Sequence, residues 1–81
     1  MNIEELRTIL VNKSVNESLY SLGCLAPQSE SYSIVKESGL WKVVYKERGE
    51  FSVIASNLTE NDACTLVYGM FRDMFCWDQR D

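Results

Sequence analysis

The sequence Trp41-Lys42-Val43-Val44-Tyr45-Lys46-Glu47-Arg48-Gly49 decides the fold, because large side chains recur in it at every second residue. The run Tyr32-Ser33-Ile34 has the same period, and Ser38-Gly39 lies between the two runs. This pattern predicts two antiparallel strands joined by a tight turn, with the large side chains on one face. We therefore predict that Trp41 and Tyr45 pack on the covered face of a sheet.

The next turn, Glu47-Arg48-Gly49-Glu50, is compatible with two loop lengths. A two-residue Arg48-Gly49 loop pairs Tyr45 with Ser52, whereas a three-residue loop pairs Tyr45 with Phe51. Matching one aromatic residue with another favours the three-residue loop. A third antiparallel strand then completes a meander.

Two capping patterns lie in the N-terminal third of the chain. Asn2 stands three residues before Glu5, and apolar residues at helical spacing follow, which predicts a helix over residues 3–12. Ser14-Val15-Asn16-Glu17 repeats the capping pattern, and Gly23 is placed to end a second, shorter helix.

The C-terminal helix has the clearest start in the chain. Thr59 is a good N-cap with Asp62 at the reciprocal position, and acidic residues there complement the helix dipole. The apolar residues that follow form one arc over about half of the helix circumference, which predicts the main packing helix. Its members are Ala63, Cys64, Leu66, Val67, Tyr68, Met70, Phe71, Met74, Phe75 and Trp77.

These elements predict one α+β domain over residues 1–81, since a chain of 81 residues has room for a single core. The predicted order is α-α-β-β-β-α. Two N-terminal helices precede a three-stranded antiparallel meander, and the C-terminal helix packs on it.

The composition argues against catalysis. The chain contains no histidine, and its three cysteines are widely spaced. A general base, a metal cluster and a disulfide framework are therefore not indicated. No glycine-rich phosphate loop is present, because the four glycines are isolated. We expect a protein that is not an enzyme and uses no cofactor.

The formal net charge is -4, and the C-terminal part carries most of it. Residues 59–81 hold five acidic residues against two basic ones. An acidic field repels phosphate backbones and attracts basic proteins, so we expect a basic protein partner and no direct nucleic acid binding. Ordinary solubilising surface charge is the competing interpretation.

The N-terminus carries acidic residues where a secretion signal would be basic, and no apolar run has the length of a membrane span. We expect a cytoplasmic protein without membrane contact.

The aromatic strand that enters Glu47-Arg48-Gly49, followed by a strand and by Leu58-Thr59-Glu60-Asn61-Asp62-Ala63-Cys64, resembles small α+β immunity proteins. These belong to bacterial polymorphic and contact-dependent growth inhibition toxin systems. The resemblance implies an antitoxin that binds a cognate toxin domain, often a nuclease, and neutralises it by stoichiometric masking. It implies no enzymatic activity.

A small acidic adaptor, or a phage-type inhibitor that mimics nucleic acid, is the alternative function, and a homodimer is compatible with either. The candidate partner-binding residues are the polar ones at the exposed turn and around the last helix. They are Glu47, Arg48, Glu50, Glu60, Asp62, Asp73 and Asp78.

Overall fold

A computed structural model of the protein describes residues 1–25 and 27–77. It is an α+β fold with a four-stranded sheet in the order β1-β2-β3-β4. Strands β1 and β2 are parallel, and the other neighbours are antiparallel. The elements are α1 (Ile3–Asn12), a 3-10 turn (Glu17–Leu19), β1 (Tyr20–Leu22), β2 (Ser31–Glu37), β3 (Leu40–Glu47), β4 (Glu50–Leu58) and α2 (Glu60–Phe75).

The first helix begins where the capping pattern predicts. The Asn2 side chain accepts a hydrogen bond from the Glu5 N–H at 2.8 Å, and the Glu5 carboxylate accepts one from the Asn2 N–H at 3.0 Å. The last helix also begins as predicted, because the Thr59 hydroxyl accepts from the Asp62 N–H. Each cap provides a partner for a backbone N–H that the helix leaves free.

The second N-terminal helix was predicted wrongly. Asn16 caps only a single 3-10 turn, and the chain then extends as β1 beside β2. A segment of this length is too short to be stable as a helix without tertiary packing. As a strand it gains hydrogen bonds to β2, and the Tyr20 ring packs edge-on against Phe71 at 6.4 Å. The sheet therefore has four strands and not three.

The first hairpin turn matches the prediction. Ser38 and Gly39 form a two-residue loop, with Glu37 opposite Leu40. Both loop residues are left-handed, with φ of 54° and 84°. This conformation matches the right-handed twist of the flanking strands.

The three-residue loop predicted for the second hairpin is wrong. Arg48 and Gly49 form a two-residue loop with φ of 54° and 83°, and Tyr45 lies opposite Ser52. The twist-matched turn is preferred over the aromatic cross-strand pair, which would contribute only about 0.2–1 kcal/mol. The shorter loop turns Phe51 away from the face that carries Tyr45.

Two irregularities then shift the pairing of β4 with β3 by one residue each. Val44 pairs with Val53, but Val43 pairs with Ala55 and Trp41 with Leu58. The extra residues in β4 bring its second half back onto the helix-covered face.

The core lies between this face and the two helices. Ile34 and Val43 are fully buried there, and Trp41 packs against the core as predicted. The helices contribute buried residues from one stripe each, which are Leu6, Leu10, Ala63, Cys64, Val67 and Phe71.

The apolar arc predicted for the last helix is wider than the surface that α2 buries. Met74 and Phe75 are 51% and 43% exposed. A helix packed on one sheet face covers a stripe of roughly 100°, so the edges of a broader arc remain in solvent. Within the described residues, no helix has the length and apolar character needed to cross a membrane.

Candidate functional site

A cavity of about 230 Å³ opens beside the end of the sheet where β3 turns into β4. Its lining is mostly apolar, with one carboxylate. We call it the aromatic pocket, and its lining residues are Leu19, Glu30, Tyr32, Tyr45, Phe71 and Met74.

Three aromatic rings form the body of the pocket. Tyr32 and Tyr45 are cross-strand neighbours on β2 and β3, and their ring centroids are 4.7 Å apart. Phe71 comes from α2 and meets Tyr32 edge-on at 5.6 Å. Phe71 is fully buried, whereas both tyrosines are partly exposed. The sheet register and the packing of α2 therefore produce an aromatic site that is open to solvent on one side.

Glu30 supplies the carboxylate, and the backbone around it is held in an unusual conformation. Its φ is 62°, a left-handed value that costs a residue other than glycine roughly 1–2 kcal/mol. Its N–H donates to the Lys46 carbonyl, and the Ser29 hydroxyl accepts from the Gly49 N–H at 3.0 Å. The segment before β2 is thus fixed to the second hairpin.

The Glu30 carboxylate accepts a hydrogen bond from the Tyr45 hydroxyl at 2.9 Å. This bond, partial burial and the nearby negative charges of Glu30 and Glu47 raise the pKa of Tyr45 to about 12. Tyr45 therefore remains a neutral hydrogen-bond donor at physiological pH. Glu30 keeps a second oxygen for another donor.

Deprotonation of Tyr45 should make the fold less stable at high pH. Its folded pKa lies above the ordinary value of 10.0, so its contribution is complete below pH 10 and is lost as the pH rises through about 12. Denaturation midpoints measured across this range should fall less in Tyr45→Phe than in the wild type. If the denaturation midpoints of the two proteins fell equally with pH, the raised pKa would not belong to Tyr45.

Three of the predicted contact residues lie together near the pocket. Glu47, Arg48 and Glu50 are exposed and line a shallow depression of about 420 Å³ at the hairpin turn. Glu47 is two residues beyond Tyr45, and its charge acts on the Tyr45 hydroxyl. Asp73 is also exposed, and it directly precedes Met74 in the pocket lining.

Glu60 and Asp62 lie at the other end of α2. With a rise of about 1.5 Å per residue, most of a 16-residue helix separates them from Asp73. The Glu60 carboxylate makes a hydrogen bond within the fold, which it accepts from the Ile3 N–H at 2.8 Å. The structure therefore does not bring these two acids together with the hairpin turn. Asp78 lies outside the described residues.

Sequence reasoning missed Glu30 and the pocket beside it. Glu30 lies in the connection before β2, where nothing in the sequence distinguishes it from an ordinary loop acid. Its role depends on contacts with Tyr45 and Lys46, which lie 15 and 16 positions away along the chain. The alternating pattern indicates Tyr32 and Tyr45 only as packing residues.

The cysteines lie elsewhere. Cys24 and Cys76 are exposed and free, and Cys64 is buried in the core. Burial raises the pKa of the Cys64 thiol to about 11. Cys64 is therefore protonated at neutral pH and serves as a small apolar packing residue.

Aromatic faces beside a carboxylate form a site for a cation, since the rings attract positive charge and the carboxylate accepts its hydrogen bonds.

Comparison with protein families, curated proteins and solved structures finds no match for this chain.

Proposed function

We propose that this chain is an immunity protein, which binds a cognate toxin domain and neutralises it by covering a surface that the toxin needs. The sequence resemblance through Glu47-Arg48-Gly49 and Thr59-Glu60 motivates this function. The toxin domain is proposed to be basic, and a nuclease is the class that fits best, because nucleases carry positive charge to bind nucleic acid.

The aromatic pocket is the observation that carries the proposal. An arginine or lysine side chain of the toxin would place its cation over Tyr32 and Tyr45 and its N–H groups on Glu30. A cation over an aromatic ring gains about 0.5–2 kcal/mol, and a hydrogen bond to a charged group about 1.5–3 kcal/mol. One basic side chain could therefore act as an anchor of the interface.

The acidic residues around the pocket favour the approach of a basic partner. Glu47, Glu50 and Asp73 are exposed near its opening. Exposed charges at the rim of an interface mainly accelerate association and contribute less to holding the complex. A toxin that must be captured quickly after entering a cell fits this arrangement.

Masking requires a tight complex and no turnover. Nanomolar affinity, roughly -12 kcal/mol, would be needed to silence a lethal enzyme at low concentrations. Because a cation anchor accounts for only part of this free energy, the surrounding apolar surface must contribute as well. Exposed Met74 and Phe75 provide such surface near the pocket.

The immunity function predicts that a toxin domain is encoded next to this chain, and the kinetics of binding to that domain test the proposal. The association rate should fall as salt rises. The triple variant Glu47→Gln, Glu50→Gln and Asp73→Asn should lower the association rate by about tenfold and change the dissociation rate less. Stopped-flow or surface-based kinetics measure both rates. Failure of the neighbouring toxin domain to bind at all would contradict the immunity function. An association rate that does not change with salt would contradict the role of the acidic residues in accelerating association.

A further inference from the structure

We propose that two copies of this chain join through their β4 edges, pairing residues 50–54 antiparallel to form one continuous eight-stranded sheet. This inference concerns a surface separate from the aromatic pocket and does not depend on the immunity function. It rests on the exposure, the charge pattern and the register of β4.

Strand β4 forms one edge of the sheet and is exposed along its first half. It is nine residues long and pairs only with β3 among the described strands. Residues 50–54 are all exposed, including Phe51 at 47%, Val53 at 57% and Ile54 at 46%. Residues 51–59 contain no charged residue and no proline. Natural edge strands usually carry lysine, proline or bulges that prevent pairing with another chain.

The protection that β4 does have covers only its second half. Its pairing with β3 is regular from Glu50 to Val53 and becomes irregular beyond Val53. The opposite edge is formed by β1, which has only three residues. Short strands and bulges are both recognised ways to protect an edge. Residues 50–53, which include the central pairs of the proposed interface, therefore lack such protection.

The hairpin geometry defines which backbone groups are available. The residues that flank a two-residue loop form a hydrogen-bonded pair, here Glu47 and Glu50, and the pattern alternates along an antiparallel strand. The N–H and C=O groups of Phe51 and Val53 therefore point away from β3. An antiparallel second copy with Ser52 on the two-fold axis pairs Phe51 with Val53 of the other copy, and both pairs exchange hydrogen bonds.

This register is self-complementary, which favours a second copy over an unrelated strand. Phe51 and Val53 of both copies meet on the sheet face opposite α2, and an aromatic residue next to a β-branched one is a favourable cross-strand pair. Glu50 lies opposite Ile54, so the two Glu50 carboxylates do not face each other. A two-fold interface needs this match of one patch with itself.

A cysteine at the proposed axis tests the register. In a Cys24→Ser, Cys76→Ser background, Ser52→Cys should form an intermolecular disulfide under mild oxidation. The two Ser52 residues form a pair without mutual hydrogen bonds, for which the Cα separation is about 4.5 Å and within disulfide range. Ser56→Cys, also exposed on β4, is the matched control and should not crosslink, because the register places it opposite Arg48.

Sedimentation equilibrium tests the association itself. The wild-type chain should show a concentration-dependent monomer and dimer equilibrium, and Val53→Lys should raise the dimer dissociation constant about tenfold or more, because it removes both cross-strand apolar pairs. Thr65→Lys, on an exposed position of α2, makes the same charge change and should leave the equilibrium unchanged. Thermal melts of both variants establish that they fold.

Two results would overturn the proposal. One is a wild-type chain that remains monomeric up to about 1 mM, where even an interaction of roughly -4 kcal/mol is detected. The other is crosslinking of Ser52→Cys that is no faster than that of Ser56→Cys.

Discussion

Phe71→Ala should lower the free energy of unfolding by about 3–5 kcal/mol, the range for removing a buried aromatic side chain. Phe71 is fully buried, and its ring contacts Tyr20, Tyr32 and Phe75. A chain of 81 residues has a total free energy of unfolding of only about 4–12 kcal/mol, so the substitution should remove a large fraction of it. The same substitution also removes the floor of the aromatic pocket.

Phe75→Ala is the matched control for this prediction. Phe75 stacks on Phe71 at 6.0 Å but is 43% exposed. It should cost about 1–2 kcal/mol, since less of its surface leaves water on folding. Chemical denaturation of both variants provides the comparison. Equal losses would contradict the burial of Phe71 and the exposure of Phe75.

Glu30→Gln should weaken binding of the toxin domain by about 2–4 kcal/mol, which corresponds to roughly 30-fold to 1000-fold in the dissociation constant. The substitution keeps the shape of the side chain and an oxygen for the Tyr45 hydroxyl, which now lies 2.9 Å from the carboxylate. It removes the negative charge that we propose a basic side chain of the toxin binds. The loss should therefore appear mainly in the dissociation rate.

Asp62→Asn removes the same charge from the far end of α2, where Asp62 is exposed. It should change the affinity by less than about 1 kcal/mol, as expected for a charge outside the contact. Calorimetric titration of the two variants against the same toxin domain measures the difference. Equal effects would show that only the overall charge matters and that the pocket is not the anchor.

The parts of the fold that could be predicted from the sequence depend on local chemistry. The capping residues Asn2 and Thr59 define the starts of both helices, because their side chains bond to backbone groups only three residues away. The Ser38-Gly39 turn was predicted for the same reason. The period of two from Trp41 to Tyr45 correctly predicted which face of β3 is covered.

The errors arose where distant contacts outweigh local preference. Tyr20 belongs to a strand because β2 and Phe71 are available to pair with it, and neither is visible in the capping pattern around Asn16. At Arg48-Gly49, cross-strand matching favoured a longer loop, but the twist of the strands selected the shorter one. That single-residue difference turns Phe51 to the sheet face opposite Tyr45.

The candidate site was predicted only in part for the same reason. The exposure of Glu47, Arg48 and Glu50 could be predicted because a glycine-containing turn projects its neighbours into solvent. Glu30 could not, since its position depends on a left-handed backbone and on Tyr45. The hydrogen bond that Glu60 accepts from the Ile3 N–H could not be predicted either, because it joins residues 57 positions apart.

The proposed immunity function is tested most directly by titrating this protein into a fixed amount of the active toxin domain. Stoichiometric masking predicts that residual toxin activity falls linearly and reaches zero at a fixed molar ratio, and that dissociation of the complex restores the activity. A substoichiometric amount of this protein that permanently inactivates excess toxin would contradict masking. Toxin activity that is unchanged at a large molar excess would contradict the immunity function itself.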